Sequence, residues 1–157
     1  MPKVESPVPT RYATPRWRRA ATRLLAHEAG AEPATSANLA AASGRLLGEL
    51  SRRLAQVIGH AGVKAVFLRA VNLCKPEFPF LDEGIVPLER GEGMAEPLRA
   101  CLREQAPDVI REVSVTLFAT FAGLLATVIG DRLTLSLLQQ IWPGTFLREA
   151  ELQETEE

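Results

Sequence analysis

The longest uncharged run in the chain, Val113 to Gly130, limits what the rest can fold into. Glu112 and Asp131 bound it, and none of the eighteen residues between them is charged. On a helix, Val113, Leu117, Phe121, Leu124 and Val128 line one side, and Phe118, Leu125 and Ile129 widen it. Thr116, Thr120, Gly123 and Thr127 make a second stripe at the same spacing. Their small side chains would let another backbone approach closely, within this chain or across a homodimer. Pro107 suits a first turn, where its missing N–H goes unpaired in any case, and Asp108 and Glu112 complement the positive end of the helix dipole. Gly130 supplies a stop that tolerates positive φ.

A helix apolar this far round has to be buried, either in a protein core or in a bilayer. Eighteen residues just reach the length of a membrane span. The run contains one Ser and three Thr, lacks a Trp or Tyr belt, and follows directly on Asp108 and Glu112. These features argue against membrane insertion and for the central helix of a water-soluble bundle.

A similar pattern occurs 71 residues earlier. Leu54-Ala55-Gln56-Val57-Ile58-Gly59 matches Leu125-Ala126-Thr127-Val128-Ile129-Gly130 at five of six positions. Upstream, Ser43, Leu46, Leu47 and Leu50 fall on Ser114, Leu117, Phe118 and Phe121; downstream, Val66, Phe67 and Ala70 fall on Leu137, Leu138 and Ile141. The match follows an apolar face through one helix, across a glycine and into a second, which predicts a duplicated helix–Gly–helix unit. The earlier copy carries Arg45, Glu49, Arg52 and Arg53 on its outer face, so it cannot be a lipid-facing span.

With 157 residues the chain fits one domain plus tails, divided as an N-terminal arm (1–36), a helical bundle (37–147) and an acidic tail (148–157). A net charge of −1 argues against nucleic acid as a partner. Pro2, Pro7 and Pro9 stand where a signal peptide would carry an apolar run, so a cytoplasmic location is expected. The preference for Arg over Lys and the many alanines suggest a GC-rich bacterial genome.

Thr14-Pro15 opens a short helix that ends at Gly30, and Arg16, Trp17, Arg18 and Arg19 are the candidate contacts of a flexible basic arm. Thr35, Ser36 or Asn38 can cap the next helix, which runs to about Ile58. Gly59-His60-Ala61-Gly62 breaks it, and Val63 to about Cys74 continues. The stretch from Pro76 to Gly93 is long for a connection in a compact domain. Its apolar residues either cap the helical core or form a loop that a partner covers, with Phe78, Phe80, Leu81, Ile85 and Leu88 as contacts. A short helix from Glu96 turns Leu98, Cys101 and Leu102 inward, and Pro107 separates it from the central helix or kinks it. After an Asp131 cap, the last helix presents Leu133, Leu137, Leu138 and Ile141. From Ala37 to Lys75 there are six basic residues and one acidic; from Asp82 to Asp131, nine acidic and four basic. The two segments are therefore expected to attract.

Catalytic signatures are missing. There is no Walker loop, dinucleotide fingerprint, HExxH or CxxC, and two histidines far apart make a poor metal set. Cys74 and Cys101 fall on apolar faces, where a thiol is usually an inert small hydrophobe. Ser43 and Ser114 have no base beside them in sequence, Glu92 and Glu96 read as solvated, and His60 belongs to a turn. No catalytic, metal or cofactor residue is assigned.

The expected fold is all-α, a four- to five-helix bundle built from two related helix–Gly–helix hairpins at about 37–75 and 107–142. The expected function is a non-catalytic protein-interaction module, an adaptor, assembly factor or regulatory subunit, with a protein partner or a second copy as its target. The alternative is a sensor holding a small apolar ligand between the hairpins, lined by Phe67, Phe118, Phe121 and Trp142.

Overall fold

The computed structural model describes residues 11–81 and 95–142, and these residues form five helices and no strand. They are α1 (Pro15–Ala29), α2 (Ser36–Cys74), α3 (Ala95–Arg103), α4 (Pro107–Ile129) and α5 (Asp131–Ile141). Pro107 separates α3 from α4: Ala106 before it is extended, as a residue preceding proline prefers, and α4 starts at the proline itself.

Every residue of α4 from Val113 to Ala126 is buried. The two faces read from the sequence therefore merge into all-round enclosure, with α1, α2 and α5 packed around the helix. The enclosure stops at the last turn, where Thr127 and Val128 return to solvent. By length and composition α2 and α4 could each cross a membrane, but 72% of the apolar window of α4 is covered by its own chain against 28% for α2. Internal packing thus accounts for most of the apolar surface of α4.

The N-terminal helix is part of this cover and not a detached arm. Trp17, Ala20, Ala21, Leu24 and Leu25 are buried, and the chain just before α1 lies so close to α4 that a Cβ on Gly123 would sit 2.1 Å from the Tyr12 carbonyl oxygen. The absence of a side chain at Gly123 lets the backbone approach, and the small alanines of α1 do the same from the other side.

Gly59 interrupts α2 with φ 82° and ψ 160°, and Gly130 joins α4 to α5 with φ 96° and ψ 151°. Both lie in a region that is essentially closed to residues with a Cβ, and differ from the left-handed helical stop expected of Gly130. Before its interruption α2 buries Leu39, Leu46, Leu47, Leu50 and Leu54; after it, Val63, Phe67, Ala70, Val71 and Cys74. Thr35 caps α2 by accepting from the Asn38 N–H at 3.1 Å. The Ser36 hydroxyl donates to the Gln105 carbonyl at 2.6 Å, which holds the α3–α4 connection against the start of α2. Leu98 and Leu102 of α3 are fully buried, and Cys101 is half-buried.

The Oγ atoms of Ser43 and Ser114 meet at 2.6 Å inside the core. Leu46 and Leu50 converge on the same small void as Phe118, Phe121 and Leu125. Were α2 and α4 antiparallel at the serines, Leu50 and Leu125 would be roughly 25 Å apart at 1.5 Å per residue. The two helices therefore run the same way from the serine pair. Phe67, beyond Gly59, packs edge-on against Phe121 with ring centroids 6.4 Å apart.

α5 runs alongside α1 in the same direction. Arg16 bonds Asp131 at 3.0 Å at one end, and Trp142 Nε1 donates to Glu28 at 3.0 Å at the other. Asp131 thus pairs with Arg16 and makes no side-chain cap. The buried face of α5 is rotated from the expected one: Thr134 and Leu135 are buried while Leu133 is exposed. The Thr134 hydroxyl donates back to the Gly130 carbonyl at 2.8 Å, which satisfies it inside the core. Ion pairs Arg16–Asp131, Arg18–Glu112 and Arg45–Glu28 link α1 to α5, α4 and α2 in turn. Among the described residues, Arg45 of the Ala37–Lys75 segment and Glu112 and Asp131 of the Asp82–Asp131 segment each pair with α1. Exposed pairs of this kind contribute about 0–1 kcal/mol each, so they orient α1 and leave its retention to apolar burial.

Replacing Gly59 or Gly130 by alanine should cost roughly 1–3 kcal/mol although the space beside each is open, because the strain is in the backbone. Gly123→Ala should cost a similar amount, about 1–3 kcal/mol, by a different route, the clash with Tyr12. Urea unfolding checks all three, and hydrogen exchange should show protection lost at residues 12–17 only in Gly123→Ala.

Candidate interaction surface

The small-residue stripe on α4 is covered by the chain itself. Thr116 accepts from Arg18 at 3.3 Å, Thr120 accepts from the Cys74 thiol at 3.8 Å, and Gly123 faces Tyr12. Of the stripe only Thr127 is exposed, and its hydroxyl donates to the Leu124 carbonyl at 2.6 Å. The close approach that the stripe permits is therefore made within one chain.

The candidate loop is also drawn inward where it is described. Phe78 and Leu81 are buried, Phe80 is half-buried, and the Phe78 and Phe80 rings meet edge-on at 6.2 Å. The Cys101 thiol donates to the Phe80 carbonyl at 3.7 Å. Ile85 and Leu88 lie outside the described residues, as does Glu92. Among the proposed arm contacts, Trp17 is a core residue with the Arg16 guanidinium over its ring, 5.6 Å from the centroid. Arg18 is engaged with Glu112 and Thr116, and Arg19 is half-buried.

Of the four residues proposed to line a ligand pocket, Phe118 and Phe121 share a void with Trp17, Leu24 and Leu50, while Phe67 and Trp142 do not border it. The void is only about 20 Å³ and its walls are almost wholly apolar. A larger open groove of about 460 Å³ lies between Arg11, Tyr12, Arg16, Gly123 and Asp131, where the N-terminal segment crosses the end of α4.

The serine and cysteine side chains inside the bundle have structural partners. Ser43 and Ser114 are bonded to each other, and neither touches a base. Burial pushes the Cys74 thiol up to about 11, with the Thr120 hydrogen bond opposing the shift and Glu77 adding to it. Burial also raises Cys101. Thiols held neutral in this way are poor nucleophiles. Glu96 pairs with Arg99 at 2.8 Å, and His60 is exposed beside the Gly59 corner. Among the described residues no group of three His, Cys, Asp or Glu side chains could hold a metal ion.

No family model matches this chain, and no curated protein or solved structure matches it either. The surface has to be read from its own chemistry.

The feature that sequence reading missed is at the two glycine corners. Val57 (47% exposed), Val128 (63%) and Leu133 (44%) are the large hydrophobic residues left in solvent among the described ones, and each lies within three residues of Gly59 or Gly130. Because α2 and α4 run the same way from the serine pair, both corners lie at the same end of the bundle. One signal was available: Val57 and Val128 occupy matching places in the two similar hexapeptides. Periodicity, however, assigned Val128 to the core face of α4.

The serine pair generates a test of its own. Ser43→Ala or Ser114→Ala alone should cost about 1–3 kcal/mol, since each leaves one buried hydroxyl without its partner. The double variant should cost less than the two single losses added together, a coupling that a denaturation double-mutant cycle measures directly.

Proposed function

We propose that this chain is a non-catalytic helical protein-interaction module whose contact face is the end of the bundle bearing Val57, Val128 and Leu133. The observation that carries the reading is the selective exposure of large aliphatic side chains at the two glycine corners, while the other large hydrophobic residues among the described ones are buried or half-buried. Exposed apolar clusters commonly mark protein contacts. Suppression of both thiols and the mutual bonding of the buried serines support a non-catalytic role. The partner is a protein, a second copy of this chain included. A sensor of apolar ligands draws little support from a void of about 20 Å³, since ligand pockets run to roughly 300 Å³ and more.

The same reading treats α2 and the α4–α5 pair as two copies of one helix–Gly–helix hairpin, with a basic helix, α1, added in front. Three correspondences support it, all at one spacing of 71 residues: Ser43 bonds Ser114, Gly59 and Gly130 share an unusual backbone conformation, and Val57 and Val128 are both exposed. A residue that meets its own counterpart is what an approximate two-fold axis between related units produces. The reading also keeps the module water-soluble and cytoplasmic, with the apolar surface of α4 turned toward its own chain.

The test is capture of partners from cell extract by the full chain and by V57K/V128K. Both positions are already exposed, so helicity and unfolding midpoint should stay within about 0.5 kcal/mol of the parent. Partners retained by the parent should be lost from the variant, and sedimentation over micromolar concentrations should show whether self-association is lost with them. Equal retention by a folded variant would refute the assigned face.

A further inference from the structure

Charge is unevenly shared at the end of the bundle that bears Val57, Val128 and Leu133. Arg53 precedes Val57 by one turn and shares its side of α2, and Arg132 stands next to Leu133 at the start of α5. Both arginines are exposed, and neither bonds another described residue. Residues 53–61 and 127–133 hold a single carboxylate, Asp131, and it is already committed to Arg16 at 3.0 Å. The open groove of about 460 Å³ enters the same end. Thr127, beside Val128, and Asp131 line it from α4 and α5, while Arg11, Tyr12 and Arg16 line it from the N-terminal side. Arg11 is exposed and bonds no other described residue, and Arg16 gives only Nη1 to Asp131. The corners therefore combine uncovered aliphatic side chains with unpaired positive charge, in a chain whose net charge is −1.

Resting on the contact face assigned above, we propose that its partner is an acidic amphipathic segment of another protein. Aliphatic side chains of that segment cover Val57, Val128 and Leu133, and its carboxylates pair with Arg53, Arg132 and the Arg11–Arg16 side of the groove. Guanidinium groups suit carboxylates because two N–H donors match the two oxygens. Exposed pairs add little affinity each, so the aliphatic contact holds the segment and the arginines select its sign. A flat lipid surface cannot enter the groove, and three aliphatic side chains without an exposed aromatic give a weak membrane anchor. Single-stranded nucleic acid would need aromatic faces to stack on, and at this end Trp17 is buried and Tyr12 half-buried. A second copy offers no matching acidic face at the start of α4. There Asp108 pairs with Arg111, Glu112 pairs with Arg18, and Glu104 adjoins Arg103.

The test titrates a capped synthetic peptide of about twelve residues, leucine and glutamate at helical spacing, into the full chain with labelled Val and Leu methyls. The peptide should shift the methyls of Val57, Val128 and Leu133. It should bind about tenfold or more tighter than its glutamine analogue, and 0.5 M NaCl, where screening acts over roughly 4 Å, should remove most of that difference. R53Q/R132Q, at two exposed positions, should cut the preference by about threefold or more, and R132Q alone by less. Equal binding of both peptides at these methyls would overturn the acidic partner and leave the contact face standing. Shifts confined to other methyls would overturn both. No response to the glutamate peptide at millimolar concentration would overturn the inference. So would a response only to phosphatidylglycerol vesicles, or shifts of these methyls on raising protein concentration without peptide, which would assign the face to lipid or to a second copy.

Discussion

The uncharged run of α4 is enclosed on every side from Val113 to Ala126, and the rest of the fold is arranged to provide that cover. α1, two parts of α2 and α5 are laid around α4, each offering an apolar stripe too narrow to enclose it alone. Burying one Leu or Phe side chain contributes about 1.5–3 kcal/mol, so withdrawing any one of these neighbours exposes several such contributions at once. This explains why the N-terminal helix, which in sequence looks like a solvated basic arm, is held in the core. Arg16 and Arg18 reach Asp131 and Glu112, while Trp17, Ala21 and Leu24 face inward.

Two glycines make the wrapping possible. At Gly59 and Gly130 the chain changes direction within a single residue, which returns Phe67 to Phe121 and carries Thr134 and Leu138 to the void shared with Leu50. Sharp corners leave their own side chains uncovered, and that is where Val57, Val128 and Leu133 emerge. The proposed contact face is thus a consequence of how the core is closed.

Helix existence, the break points and the central position of α4 were readable from the sequence because they depend on local signals: apolar period, first-turn prolines and stopping glycines. The same chemistry left Thr35, Ser36 and Asn38 open as caps and Pro107 open as a break or a kink, and the structure takes Thr35 and the break. What was not readable depends on which surfaces meet. Gly123 and Thr116 announced a close approach, but nothing local told whether Tyr12 and Arg18 or a second chain would make it. The face of α5 was misjudged because Leu133 looks more buriable than Thr134, and the bond from Thr134 to the Gly130 carbonyl, which reverses that preference, is invisible to hydropathy. Ser43 and Ser114 could be aligned at equal places in the repeated pattern, yet only coordinates reveal that they touch.

The enclosure of α4 by its own chain is tested most directly by native-state hydrogen exchange of the full chain in detergent-free buffer. Amides from Val113 to Ala126 should exchange only through global unfolding, with opening free energies equal to that from urea denaturation and higher than those at Thr127–Gly130. Exchange of Val113–Ala126 at rates typical of exposed helix, or protection that appears only when detergent or lipid is added, would contradict the account.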